Sequence, residues 1–191
     1  MPDIIEIIEG CKQRNRKAQK VLYETFAPVL LGICIRFTGN RNDAEDILQD
    51  AFVKIFFNIE EYSGKGSFIN WMKKILINTS ITHFHRNFKY NLNVDIDEIF
   101  NDETADDETP DKEYSADELL DIIKSLPQGY KMVFNLFAIE GYKHKEIADM
   151  LNIDENTSKS QYARARKWIQ NRLNRLNKIS KPAYEQQQPT H

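Results

Sequence analysis

Lys159, Ser160, Gln161, Arg164 and Lys167, with Thr157 just before them, fall within eleven residues of one another. Arginine can bond two acceptors on a guanine edge and glutamine can do so on adenine, whereas lysine and serine more often hold phosphates. Residues of these types serve base reading only if a helix presents them together. From Asn156 to Lys181 the chain carries eight bases and no acid. On a helical wheel Tyr162, Ala165, Ile169 and Leu173 share one side, and Ser160, Arg164, Lys167 and Asn171 the other, with Thr157 and Gln161 alongside. Before this helix lies a shorter one with Ile147, Ala148 and Leu151 on its packing face, and Asn152-Ile153-Asp154 makes the turn. A helix-turn-helix with a basic second helix is a device for the DNA major groove. A solvated basic face on an ordinary helical domain has similar charges; the tight turn and the small Ala148 at the helix contact favour DNA.

A second cluster runs YSGKGSFINW, residues 62–71. Tyr62, Phe68 and Trp71 surround a glycine loop bearing Lys65, a set suited to stacking single-stranded bases beside a cation. The same residues fit another arrangement, in which Phe68 and Trp71 are core and the glycines make a turn. Lys73, Lys74, Asn78, Thr82, His83, His85, Arg86 and Lys89 follow on one helix. No enzyme chemistry emerges. SGKGS is no phosphate loop, because Ile59 stands where the leading glycine belongs and Gly66 follows the lysine. His83 and His85 diverge by about 200° on a helix and cannot share a metal. Asp46, Asp50 and Glu60 lack a nucleophile or ligand cluster beside them. Neither a metal nor a cofactor is expected, and Cys11 and Cys34 read as reduced structural residues.

The elements around these clusters are all helical. The apolar spacing of Ala44, Ile47, Leu48, Ala51, Phe52, Ile55 and Phe56 defines a helix, with Asn42 and Glu45 as its expected capping box. Gly39 and Asn40 close the helix before it, and Pro28 predicts a kink or break there. Ser67 caps a helix reaching about Arg86. Further on, Leu119, Leu120, Ile122 and Ile123 give one helix, and Ser125 with Pro127 starts another that stops at Gly141. No run is apolar and long enough to span a bilayer, so a cytoplasmic chain is expected.

Net charge is −3, yet residues 95–118 alone hold twelve acids and one base, a block of −11 that leaves the remainder at +8. The expected organisation is a helical module at 1–90, a flexible acidic linker at 91–114, a second helical module at 115–176 and a disordered tail at 177–191.

Three ordered segments, DAEDILQDAFVKIF (43–56), FINWMKKILINTSITHFHR (68–86) and SLPQGYKMVFNLFAIEGYKHKEIADMLNIDENTSKSQYARARKWI (125–169), resemble the extracytoplasmic-function (ECF) group of bacterial sigma factors. The resemblance implies an all-α chain with a region-2 bundle and a region-4 helix-turn-helix. Asp46, Gln49 and Asp50, on the same helix as Ala51, would dock on the β′ clamp helices of core RNA polymerase, and region 4 on the β flap. Tyr62, Lys65, Phe68, Asn78, Thr82, His83 and Arg86 would melt and read the −10 element of promoter DNA. Thr157, Lys159, Ser160, Gln161, Arg164 and Lys167, with Ala163 between them, would meet the −35 element. An anti-sigma factor, often membrane-bound in this group, is the further partner implied. The chain departs from the pattern at Thr82 (usually Asp), His85 (commonly Arg), Ser158 (usually Val), Gln161 (frequently Arg) and Asn152 (usually Gly), where asparagine tolerates the left-handed turn. A polymerase-independent regulator would also explain the helix-turn-helix, but it leaves the 43–56 helix and the 62–71 loop without a task. A decoy that binds polymerase without initiating is the third arrangement.

Overall fold

The computed structural model describes residues 3–88 and 114–180, and the chain divides into two units, residues 1–92 and 93–191. All regular structure among the described residues is helical, as expected from the spacing.

In the first unit, α1 (Ile4–Lys12), α2 (Arg16–Thr38), α3 (Arg41–Asn58) and α4 (Phe68–Phe88) form a bundle, with a short 3-10 turn at Ile59–Glu61. Leu22, Leu30, Phe37, Ile47, Ile55, Ile59, Met72, Leu76 and Phe84 fill its core. Each such side chain contributes about 1.5–3 kcal/mol by leaving water. Burial pushes the Cys11 thiol up to about 11 and the Cys34 thiol up to about 12, as suits unreactive core residues.

Three sequence expectations are corrected here. Pro28 does not break α2, which continues through it. It lies on an exposed side, where water can serve the carbonyl left without its N–H partner, while Leu22, Leu30 and Phe37 hold both flanks in the core. The cap of α3 is Asn40, whose Oδ1 accepts from the Asp43 N–H at 2.9 Å, and not Asn42. Glu45 instead pairs with Arg41. Finally, α2 is long and apolar enough to cross a membrane by length and composition, although within the bundle it packs on α1, α3 and α4.

The second unit holds α5 (Ala116–Lys124), α6 (Gln128–Phe134), a π-helical turn (Asn135–Ile139), α7 (His144–Leu151) and α8 (Glu155–Ser180). Ser115 and Glu118 make a reciprocal capping box at the start of α5. The segment from Pro127 to Gly141 is thus not one uniform helix: buried Asn135 donates to the Lys131 carbonyl at 2.8 Å, and the backbone widens to close Glu140 N–H on the Asn135 carbonyl. Asn152 ends α7 with φ 53°, the left-handed conformation expected of it. Two boundaries shift. Tyr114, placed in the linker by the sequence, donates its hydroxyl to Asn177 Oδ1 at 2.7 Å and belongs to this module. Helix α8 runs through Ser180, so residues 177–180 are helix and not tail. Lys89 and the rest of the expected linker and tail lie outside the described residues.

Candidate nucleic-acid interface

Helix α8 is oriented by three residues spaced three and four apart. Ser158, Gln161 and Ala165 are buried, and Ala165 joins Leu126 and Tyr130 in a core bordered by Ile123, Phe134, Trp168 and Ile169. Its small side chain lets α8 come close. Ser158 Oγ lies 3.0 Å from His144 Nδ1, which ties the first turn of α8 to the first residue of α7. Opposite this buried line, Lys159, Ser160, Ala163, Arg166 and Lys167 are exposed, with Thr157 and Arg164 half-buried at the edges. The sequence wheel was therefore set about half a residue, roughly 50°, off in phase. Tyr162, Ile169 and Leu173 are only half-buried.

Gln161 leaves the reading face. It is 5% exposed, and its Oε1 lies 3.5 Å from where a Cβ on Gly129 would stand. The missing side chain at 129 makes room for the amide, which places Gln161 in the contact between α6 and α8. Gln161→Ala is expected to destabilise the second module by about 1–3 kcal/mol, the cost of disturbing a buried polar group. Base preference of the folded fraction should not change. Urea denaturation together with binding to a panel of −35 duplexes checks both; altered preference at full stability would return Gln161 to the groove.

Arg166 and Ala163 replace it on the exposed face. Arg166 entered the sequence reading only as part of a charge total. The signal that could have found it was the pair of small residues: taking Ser158 and Ala165 as the buried line sets 159, 163 and 166 outward. Lys159 pairs with Glu155 at 2.7 Å on the surface and holds that carboxyl below its usual range. A DNA phosphate arriving there would compete with a solvated carboxylate, a weak rival.

His144 stacks on Phe137, with centroids 4.1 Å apart and planes 11° from parallel. Partial desolvation, then Lys159, lowers its pKa below 6.5, with Glu155 opposing. The unfolded chain therefore binds this proton more readily than the folded one. Stability from this group is present above the unfolded pKa and is lost as pH falls through the folded pKa. The second module should accordingly denature at lower urea at pH 5.5 than at pH 7.5, and His144→Gln, which keeps a polar partner for Ser158 and removes the titration, should shrink that difference. An equal difference in both chains would assign it to other groups.

In the first module, Tyr62, Phe68 and Trp71 do come together, but as a packed cluster. Phe68 and Trp71 stack at 5.5 Å, Tyr62 meets Phe68 edge-on at 4.9 Å, and Phe26 from α2 meets it in a T-shaped contact at 5.9 Å. Phe68 is 6% exposed, so the expectation that it stacks on a base is corrected: little of its ring is accessible. Tyr62 is half-buried and its hydroxyl donates to the Gly66 carbonyl at 2.8 Å, pinning the loop. Gly64 and Gly66 adopt φ 75° and 83°, and Lys65 stands exposed between them. Asn78, Thr82 and Arg86 are exposed on α4 at four-residue spacing, and Lys74, named in the sequence reading but not among the residues the resemblance assigns to the −10 element, extends that line by one turn. Thr82 Oγ1 donates to the Asn78 carbonyl at 2.8 Å. His83 is half-buried, 3.2 Å from Asn87 Nδ2. On α3, Asp46, Gln49 and Asp50 are exposed. Among the described residues no three of His, Cys, Asp and Glu gather as metal ligands.

The chain thus holds two helical modules, one with a cationic helix face and one with a glycine loop pinned ahead of a helix that has an exposed polar line. A sigma-70 region 2 model matches residues 22–89, and a sigma-70 region 4 model matches residues 116–169; together they span more than half the chain. The ECF RNA polymerase sigma-E factor of Haemophilus influenzae is 28% identical over 180 residues, covering 89% of this chain and 95% of that protein. The ECF RNA polymerase sigma factor SigW of Bacillus subtilis is 26% identical, covering 88% and 96%. Among solved structures, the sigma factor RpoE in complex with the anti-sigma factor NepR from Bartonella quintana aligns over 81% of this chain and 96% of that one, at 19% identity and a TM-score of 0.48. The chain belongs to the sigma-70 family of RNA polymerase sigma factors, within the ECF group.

Proposed function

We propose that the chain directs core RNA polymerase to promoters by holding the −35 element on α8 and opening the −10 element at the first module. The observation that carries this is the exposed α8 face, Lys159, Ser160, Ala163, Arg166 and Lys167, inside the span matched by region 4. Arg164 at its edge supplies a bidentate donor for a base, and Lys159 and Lys167 hold phosphates. In the first module, Asn78, Thr82 and Arg86 line the strand, with Lys74 continuing the path. Phe68 being core, a base flipped from the stack meets Lys65, the glycine backbone and the accessible part of Tyr62. Those contacts offset an unstacking cost of a few kcal/mol. Asp46, Gln49 and Asp50 dock α3 on the β′ clamp helices, and the second module meets the β flap.

The acidic stretch between the modules works as a tether: each bound module raises the effective concentration of the other at its own element. Residues 95–114 hold ten acids and one base, and this net charge of −9 also lowers the affinity of the free protein for DNA at large. Work of this kind places the chain in the cytoplasm, held in reserve by an anti-sigma factor. Run-off transcription with purified core polymerase tests the assignment. The chain should stimulate transcription from promoters bound in genome-wide mapping; no stimulation on any of them, or tight sequence-specific binding without polymerase, would overturn it in favour of an independent regulator.

A further inference from the structure

Helix α3 presents more to solvent than the acids and amide assigned to docking. Asp46, Asp50, Val53 and Phe57 follow one another at spacings of four, three and four, which is a single stripe opposite the buried side of the helix. Phe57 is 81% exposed and Val53 55% exposed. Folding of the bundle does not call on either, because other residues of α3 already fill the core. The apolar area widens on the Gln49 side, where half-buried Phe56 and exposed Tyr23 both pack on the buried ring of Phe52, at 5.8 Å and 4.6 Å. Exposed apolar side chains grouped beside carboxylates have the anatomy of a protein-binding patch.

We infer that Val53 and Phe57 are the apolar anchor of the polymerase-docking surface, continuing the Asp46–Gln49–Asp50 patch along α3 and seating Phe57 in a recess of the core enzyme. This rests on the assignment of α3 as the docking helix. Charge selects the occupant. DNA is repelled by the two carboxylates on the same stripe. A second copy pairing through this stripe would set acid against acid if parallel and acid against Phe57 if antiparallel. What fits is a helical surface with basic groups facing Asp46 and Asp50 and an apolar hollow about 16 Å from Asp46, the rise of eleven helical residues.

Competition binding of the full chain to purified core polymerase tests this. Phe57→Ala should weaken binding about tenfold or more, as loss of a central aromatic anchor does, mainly through faster dissociation. Val53→Ser should weaken it less. Because both side chains are exposed, thermal melting and binding of the −35 duplex should match the parent. If Phe57→Ala binds within twofold of the parent while Gln49→Ala and Asp50→Ala are weakened, the anchor is wrong and the docking assignment stands. If all of these variants bind like the parent, or the parent does not bind, both fail. A parent that sediments as a dimer, with a monomeric Phe57→Ala of unchanged polymerase affinity, would give the patch to self-association and overturn the inference.

Discussion

Phe68→Ala is expected to destabilise the first module by about 3–5 kcal/mol, the usual cost of removing a buried phenylalanine. The ring is enclosed by Phe26, Tyr62 and Trp71, which come from α2, the loop and α4, so its loss leaves a cavity that no single neighbour can fill. The loop would suffer first. Tyr62 holds Gly66 through its hydroxyl, and Tyr62 itself leans on Phe68. Promoter opening should therefore fall as a consequence of lost order, and Phe68→Leu should recover much of both stability and opening. Urea unfolding of the variants, compared with opening rates on one promoter, makes the check. Parent stability combined with slow opening, recovered by tyrosine or tryptophan and not by leucine, would return Phe68 to direct stacking on a base.

Arg164→Ala should reduce discrimination between the matching −35 sequence and single-base variants by about 1–3 kcal/mol, the value of one bidentate base contact. Arg164 is half-buried at the edge of the exposed α8 face. Lys167→Ala gives the contrasting result. That side chain is exposed on the face itself, and its loss should weaken all duplexes alike and reduce the salt dependence by about one phosphate contact. Measured on the holoenzyme at two salt concentrations, the two variants separate reading from holding. Uniform loss with Arg164→Ala would make it a phosphate ligand and shift base reading toward Arg166.

Much of the architecture was legible because it depends on local spacing. The apolar period of residues 44–56 gives α3, Ser67 starts α4, and Asn152 closes α7 in the left-handed conformation that asparagine accepts at little cost. The segregation of charge, with −11 between positions 95 and 118, separates two basic modules without any structural information. The misplaced features have other causes. The break expected at Pro28 follows from a local rule that packing of both flanks overrode, whereas the cap was misplaced by two positions within the same local rule, since Asn40 and not Asn42 accepts from the N–H three residues on.

The chain alone determined that there are helices, how many residues each turn must bury, and that the last third carries unbalanced positive charge, since these depend on residues close in sequence. Which way each helix is rotated was decided by tertiary contacts. Gln161 is polar and reads as surface until Gly129, thirty-two positions earlier, leaves the space it occupies; Phe68 reads as an offered ring until Phe26 covers it. Burial is a property of the partner as much as of the residue, and a partner on another helix leaves no trace in local periodicity.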